Sequence, residues 1–447
     1  MSLTRSRSLL AVALVLIAGA MAGLASGRAS AEALLLVEAD TGKVLHAENA
    51  TYPWYPASVT KLMTSYTTLR AVRDGRITLD SLFTVSANAA AQSPTKMGFP
   101  IGTQVTADNA IKMLMVKSAN DMAVLLAEGV SGSIENFAAE MNRNANSLGM
   151  TQTNYVNPNG LPADEQITSA RDLAILTRAL IREFPEYDYY WHLPGIKLGK
   201  RVVRNYNTLL GRYPGADGMK TGFICAAGFN LVATATRDGR RLIAVVLGAP
   251  SAAVRAEQAA RLLEQGFASA PLSWLTPSLG LVNSLTPVDA SPPDLHEEMC
   301  GPHRKRPASE EEEQEANNPG DSTTAMFLSS LKPQAKNGSV LQQDATLGEP
   351  VVVFTGPARG PGATRLADAK SGKPDKRGGI VRAGLTPALT PANSPVATAN
   401  MPWTSPSPAA LAANPPTELA SPAQATVPLP RARPRVPAVT ADKPPSQ

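Results

Sequence analysis

Ser58-Val59-Thr60-Lys61 sets a hydroxyl and an amine three residues apart, two residues after Pro56, where a helical pattern of Val59, Leu62, Met63 and Tyr66 begins. Residues at i and i+3 share a helix face, so the amine can reach the hydroxyl. A serine hydroxyl is a poor nucleophile near neutral pH, and a lysine whose pKa is depressed by burial or by a neighbouring cation can take its proton. The same spacing recurs at Ser93 and Lys96, with Pro94 between them, and at Ser329 and Lys332, just before Pro333. Neither opens a helix, which leaves Ser58 as the candidate nucleophile and Lys61 as the candidate base.

Two further groups have useful chemistry. Ser118-Ala119-Asn120 follows the amphipathic run of residues 111–116. Its hydroxyl can relay a proton to a leaving amine and its carboxamide can hold a substrate amide; the same letters also make an ordinary turn or helix cap. Ser86-Ala87-Asn88 repeats the triplet, and the helical stretch that separates Ser118 from Ser58 favours Ser118. Lys220-Thr221-Gly222 enters an apolar hairpin that runs to residue 247. On an edge strand, the ammonium and hydroxyl can bind a carboxylate while the glycine allows a close backbone approach. Lys370-Ser371-Gly372 is a copy without a flanking strand.

The elements that must position these groups are legible as patterns. Residues 34–37 and 44–45 flank Asp40-Thr41-Gly42-Lys43, and residues 229–236 and 242–247 flank Asp238-Gly239, both hairpin patterns. The strands therefore come from the two ends of one domain. Between them the spacing predicts helices over 111–116, 122–128, 137–148 and 171–182, with a closing helix over 253–267.

Ten of the 38 prolines precede residue 271 and the other 28 begin with Pro271. The reading is a signal peptide over 1–31, a catalytic domain over 32–270, and a Pro/Ala-rich, disordered tail over 271–447. The signal rests on Arg5 and Arg7, an apolar run over 9–24, and Ala29-Ser30-Ala31 before Glu32. Residues 351–354 read as an isolated apolar patch. After cleavage no stable membrane span is expected, and the location is periplasmic.

A net charge of +5 over 447 residues gives no footprint for nucleic acid. His46, His192, His296 and His303 have no metal-ligand spacing, so neither a metal nor another cofactor is expected. Cys225 and Cys300 can form at most one bridge. The tail's partner is not readable from its composition.

In the order Ser-x-x-Lys, Ser-x-Asn, Lys-Thr-Gly, the three groups are far more specific than any one alone. Together with residues 56–64, Ser118-Ala119-Asn120-Asp121, Asn157-Pro158-Asn159-Gly160-Leu161 and Asp217-Gly218-Met219-Lys220-Thr221-Gly222, they make residues 33 to about 270 resemble the low-molecular-mass penicillin-binding proteins of the D-alanyl-D-alanine carboxypeptidase type, peptidase family S11. The resemblance implies an α+β fold of the penicillin-binding-protein and β-lactamase kind. An antiparallel sheet from both chain ends is covered by helices, with an all-helical lobe beside it and the site between. It implies that Ser58 attacks the D-Ala-D-Ala carbonyl of peptidoglycan pentapeptide stems, with Lys61 as base and Ser118 and Asn120 on the leaving group and substrate. Lys220, Thr221 and Gly222 would bind the terminal carboxylate end, and the main-chain N–H groups of Ser58 and Phe223 would form the oxyanion hole. β-Lactams would be inhibitors.

The chain departs from that pattern at Phe223, where the best-known members are polar. It departs again near Tyr206, where some members carry an arginine that Arg204 could replace. The second, all-β domain of many members is not recognisable. Three rival readings are a D,D-endopeptidase, a β-lactamase using Glu165, and a non-catalytic wall-binding scaffold. The aromatic cluster of Tyr187, Tyr189, Tyr190 and Trp191 reads as a packed surface of the helical lobe, with a sugar platform as the alternative.

Overall fold

A computed structural model describes residues 32–268, 279–302, 339–342 and 348–357, all within one unit of the chain, residues 1–372. The signal segment and most of the tail lie outside the described residues.

Strands β1 (Ala33–Glu38) and β2 (Val44–Glu48) form the first hairpin. A 3-10 turn, Ala57–Thr60, then runs straight into helix α1 (Lys61–Arg73). Strands β3 (Leu82–Thr84) and β4 (Gln104–Thr106) pair around the short helix α2 (Ala87–Ala91). The helical lobe continues with α3 (Ala107–Lys117), α4 (Asn120–Ser131) and α5 (Ile134–Leu148). Helix α6 (Ala170–Glu183) and a 3-10 stretch, Pro185–His192, lead to a side hairpin of β5 (Gly195–Leu198) and β6 (Arg201–Arg204). Strands β7 (Ala216–Ile224), β8 (Gly228–Arg237) and β9 (Arg240–Ala249) and helix α7 (Ala252–Ala268) complete the domain.

The main sheet has the order β2-β1-β9-β8-β7 and is antiparallel throughout. Both ends of the domain therefore supply it, as the two hairpin patterns require. Strands β8 and β9 are buried through most of their length because helices cover both faces. Helix α4 is apolar on every side and buried from Asn120 to Ala127, which makes it the core of the helical lobe. Asn120 and Asp121 are its polar exceptions. Burial of Met122, Val124, Leu125 and Leu126 contributes roughly 1.5–3 kcal/mol each, enough to hold such polar groups at the helix start.

The aromatic cluster packs as expected: Tyr190 and Trp191 are buried, and the Tyr190 hydroxyl donates to Asp108 Oδ1 at 2.8 Å.

The reading of residues 271–447 as a disordered tail is corrected for its described stretches. Residues 279–302 extend the β2 side of the sheet, with Val44 N–H on the Gly280 carbonyl and Val282 N–H on the Gly42 carbonyl. They end in helix α8 (His296–Cys300), whose Cys300 is bridged to Cys225. The Gln342 N–H donates to the Arg212 carbonyl at 2.8 Å. The apolar patch of residues 351–354 is not isolated: β10 (Val351–Val352) pairs in parallel with β5, and the Phe354 N–H donates to Asn109 Oδ1 on α3. Exposed strand edges accept any short extended segment through main-chain groups, so docking here needs no core-forming pattern of its own. Proline density averaged over the tail conceals such two- to four-residue pieces.

Candidate active site

The turn that carries Ser58 is held by two glycines. A Cβ on Gly222 of β7 would lie 2.7 Å from the Ser58 nitrogen, and one on Gly160 would overlap the Ala57 carbonyl. Only glycine lets both loops press so closely on residues 57–58. From β8, Asn230 Nδ2 donates to the carbonyls of Tyr55 at 2.9 Å and Pro56 at 3.1 Å, fixing the entry to the turn. Ala57 has φ 49° and Ser118 has φ 60°, left-handed values that cost an L-residue about 1–2 kcal/mol each. Two of the four non-glycine residues of this kind among the described residues thus sit at the site, where surrounding packing sustains such strain.

Lys61 opens α1, is fully buried, and lies one turn after Ser58. Its Nζ is 2.8 Å from Ser58 Oγ and 2.8 Å from Asn120 Oδ1, and it also meets the Asn159 carbonyl. Asn120 comes from the start of α4. Its Nδ2 donates to the Ser93 carbonyl at 3.1 Å and its N–H to the Thr95 carbonyl at 2.7 Å. The rejected serine at 93 is therefore at the rim of the site, contributing a carbonyl instead of a nucleophile.

Ser118 caps α3, is buried, and stands two residues before Asn120 on the bend between α3 and α4. Lys220 and Thr221 are buried on β7 just before Gly222. Because β7 is the edge of the main sheet, one side pairs with β8 and the other runs along the Ser58 turn. The structure thus brings Ser58, Lys61 and Asn120 into direct contact and lays the Lys220-Thr221-Gly222-Phe223 segment against them.

Arg204 is not part of this cluster. Its guanidinium donates to the Gly348 carbonyl at 3.1 Å, so the tail holds it, and buried Tyr206 is held by its N–H on the Val116 carbonyl. Glu165 is exposed.

Three residues escaped assignment from the sequence. Asn159 supplies the second carbonyl to Lys61, Gln166 docks its loop by accepting the Val156 N–H at 2.7 Å and donating to Thr60 Oγ1 at 3.0 Å, and Asp121 anchors the loop of residues 93–98. The stretch Asn157-Pro158-Asn159-Gly160-Leu161 was a signal for the first, although a main-chain acceptor leaves no side-chain signature.

A hydroxyl and an amine in contact, set between a helical lobe and an edge strand, are groups that can support serine acyl transfer. The family model described as D-alanyl-D-alanine carboxypeptidase, peptidase S11, matches residues 21–251, just over half of the chain, and the chain belongs to that family. It is 36% identical over 252 residues to the D-alanyl-D-alanine carboxypeptidase DacA of Haemophilus influenzae, covering 55% of this chain and 64% of that protein. It is 39% identical over 245 residues to DacC of Escherichia coli, covering 53% and 61%. Both matches span less than two thirds of the relative's length. Among solved structures, penicillin binding protein 5 from Haemophilus influenzae superposes with a TM-score of 0.51 at 36% identity, covering 54% of this chain and 71% of that one. Penicillin binding protein 6B from Escherichia coli gives 0.51 at 38% identity, covering 53% and 76%.

Proposed function

We propose that this protein is a penicillin-sensitive serine D-Ala-D-Ala carboxypeptidase that acts in the periplasm on peptidoglycan pentapeptide stems. The observation that carries the reading is the contact of Lys61 Nζ with three named groups. Two of them, Asn120 Oδ1 and the Asn159 carbonyl, can only accept hydrogen bonds, while the third, the Ser58 hydroxyl, can also donate one. A neutral amine has two N–H bonds and one lone pair. When the two carbonyl oxygens take those N–H bonds, the lone pair can accept the Ser58 proton across the 2.8 Å contact.

The proposed reaction follows from that arrangement. Ser58 Oγ bonds to the carbonyl carbon between the two D-alanines as its proton passes to Lys61 Nζ. The N–H groups of Ser58 and Phe223 stabilise the oxyanion. The C–N bond then breaks, and the proton reaches the leaving D-alanine amine from Lys61 through the Ser118 hydroxyl. Lys220 and Thr221 hold the terminal carboxylate, and Asn120 the substrate amide. Water attacks the acyl-enzyme as Lys61 takes its proton, and Lys61 passes that proton to Ser58 Oγ as the ester bond breaks, which releases the shortened stem and restores both residues. With a β-lactam the leaving amine stays tethered, so the adduct persists.

Incubation with a pentapeptide stem and with cross-linked wall fragments tests this reading. Released D-alanine supports it, whereas released monomers without D-alanine would move the assignment to a D,D-endopeptidase. Glu165, the carboxylate that the β-lactamase alternative would use, is exposed to solvent.

A further inference from the structure

The reaction above makes no use of the Cys225–Cys300 bridge, yet its position bears on it. Cys225 lies one residue past the end of β7, three after Gly222 and two after Phe223, in the turn to β8. Two further contacts hold the same turn: the Leu295 N–H donates to the Ala226 carbonyl at 3.0 Å, and Trp54 Nε1 donates to the Ala227 carbonyl at 3.0 Å. Leu295 and Met299 are buried against the domain core, which seats α8 beside the turn. Phe223 stacks on Phe229 across the hairpin, with ring centroids 4.3 Å apart. Hence a tail segment, through one covalent and one main-chain link, fixes the end of the strand that lies along Ser58.

We propose that residues 295–300 are a positioning element for acyl transfer. The bridge and the Ala226 contact hold the end of β7, and with it the Phe223 N–H, at the distance from Ser58 that the oxyanion requires. The proposal rests on the assignment of Phe223 as an oxyanion donor. An edge strand has a pairing partner on one side only, so the placement of its last residues depends on the turn that follows. A five-residue helix has no stability of its own, so its seating depends on tertiary links, of which the bridge is the covalent one. The site becomes dependent on redox state. A dithiol reductant transfers two electrons and two protons to the bridge, giving two thiols and the oxidised reductant.

A misplaced donor weakens the transition state more than ground-state binding. Loss of one oxyanion donor lowers a rate by about 10²–10³-fold, and a donor loosened instead of removed should lower it by about tenfold. The test uses the full chain and a penicillin, measuring the acylation rate constant separately from the dissociation constant of the non-covalent complex. The proteins compared are oxidised wild type, reduced wild type, Cys300→Ser, and Cys225→Ser with Cys300→Ser. The expected result is acylation about tenfold slower in all three bridge-less proteins, an unchanged dissociation constant, and full recovery when reduced wild type is reoxidised. Acylation within twofold of wild type, or a rate that falls only in proportion to a loss of folded circular-dichroism signal, would overturn the proposal while leaving the carboxypeptidase reading in place. An oxidised wild type that forms no penicillin adduct would remove that reading and this proposal with it.

Discussion

Asn120 turns its carboxamide oxygen toward Lys61 Nζ at 2.8 Å because its nitrogen is committed to the Ser93 carbonyl at 3.1 Å. A carbonyl cannot donate, so the loop of residues 93–95 dictates which end of the amide faces the base. That loop is anchored by buried Asp121, whose Oδ1 accepts the Met97 N–H at 3.0 Å and whose Oδ2 accepts the Gly98 N–H at 2.9 Å.

Asp121→Asn should therefore damage the site without touching substrate. The new amide sets an NH2 group against a backbone N–H, and an unsatisfied buried donor costs about 1–3 kcal/mol. Penicillin acylation should slow by about tenfold as Asn120 loses its fixed orientation, while the labelled residue stays Ser58. An unchanged acylation rate would show that Asn120 is oriented without this anchor.

Ser58→Ala removes the only proposed acyl acceptor, so mass spectrometry after penicillin treatment should find no adduct. Lys61→Arg should slow acylation by about 10³-fold, because guanidinium stays protonated and general-base catalysis of this kind contributes about 10²–10⁴-fold. Adducts at Ser93, or full labelling of Ser58→Ala, would show that another serine reacts.

Gly222→Ala tests the close approach of β7. The added Cβ would sit 2.7 Å from the Ser58 nitrogen and 3.0 Å from the Val59 nitrogen, both main-chain atoms that cannot swing away. The strand or the turn that carries Ser58 must shift, and misalignment of about 1 Å at a reacting centre can cost about 10²-fold. Time courses of acylation should show a loss of that order, with thermal stability little changed because the displacement falls on an edge strand.

The contact of Ser58, Lys61 and Asn120 was legible because those triplets need specific side chains at short spacing, and the sheet was legible because its hairpins alternate and turn at Gly42 and Gly239. Asn159 and the Ser93 carbonyl were not, since main-chain acceptors can be supplied by almost any residue. The docked tail was hidden for a related reason: β10 is two residues long and held through backbone groups, whose pairing composition does not encode. Arg204, which could replace the arginine that some family members carry, instead donates to the Gly348 carbonyl of the tail.

Alkaline stability should follow the buried tyrosines. Burial and the Glu183 carboxylate push Tyr66 up from 10.0 to about 12, and burial does the same for Tyr189. Tyr155, Tyr190 and Tyr213 are raised as well, burial again being the main cause. Between pH 10 and 12 the unfolded chain has lost these protons and the folded chain keeps them. Stability is thus complete below pH 10 and falls as pH rises through 12. Thermal melts should fall steeply in that window, and Tyr66→Phe should flatten the slope. Tyrosinate absorbance that rises fully before any unfolding would contradict the assignment.

Shortening the tail should give two different results depending on where the chain ends. A chain ending after Pro357 keeps every contact described above, including β10 on β5 and the Phe354 N–H on Asn109, so melting and acylation should match the full chain. A chain ending near residue 270 loses the bridge to Cys225, the Gly280 and Val282 contacts on the β2 side, and the segment that joins β5 to α3. Loss of a native disulfide alone costs roughly 2–4 kcal/mol, which for a domain of this size lowers the melting temperature by about 2–4 °C per kcal/mol. The short chain retains Ser58, Lys61 and Lys220 and should still form an adduct, but more slowly and with a lower melting point. Equal melting points for the two truncations would show that the docked segments add no stability, and the domain would then end at α7 as its amino-acid pattern alone suggests.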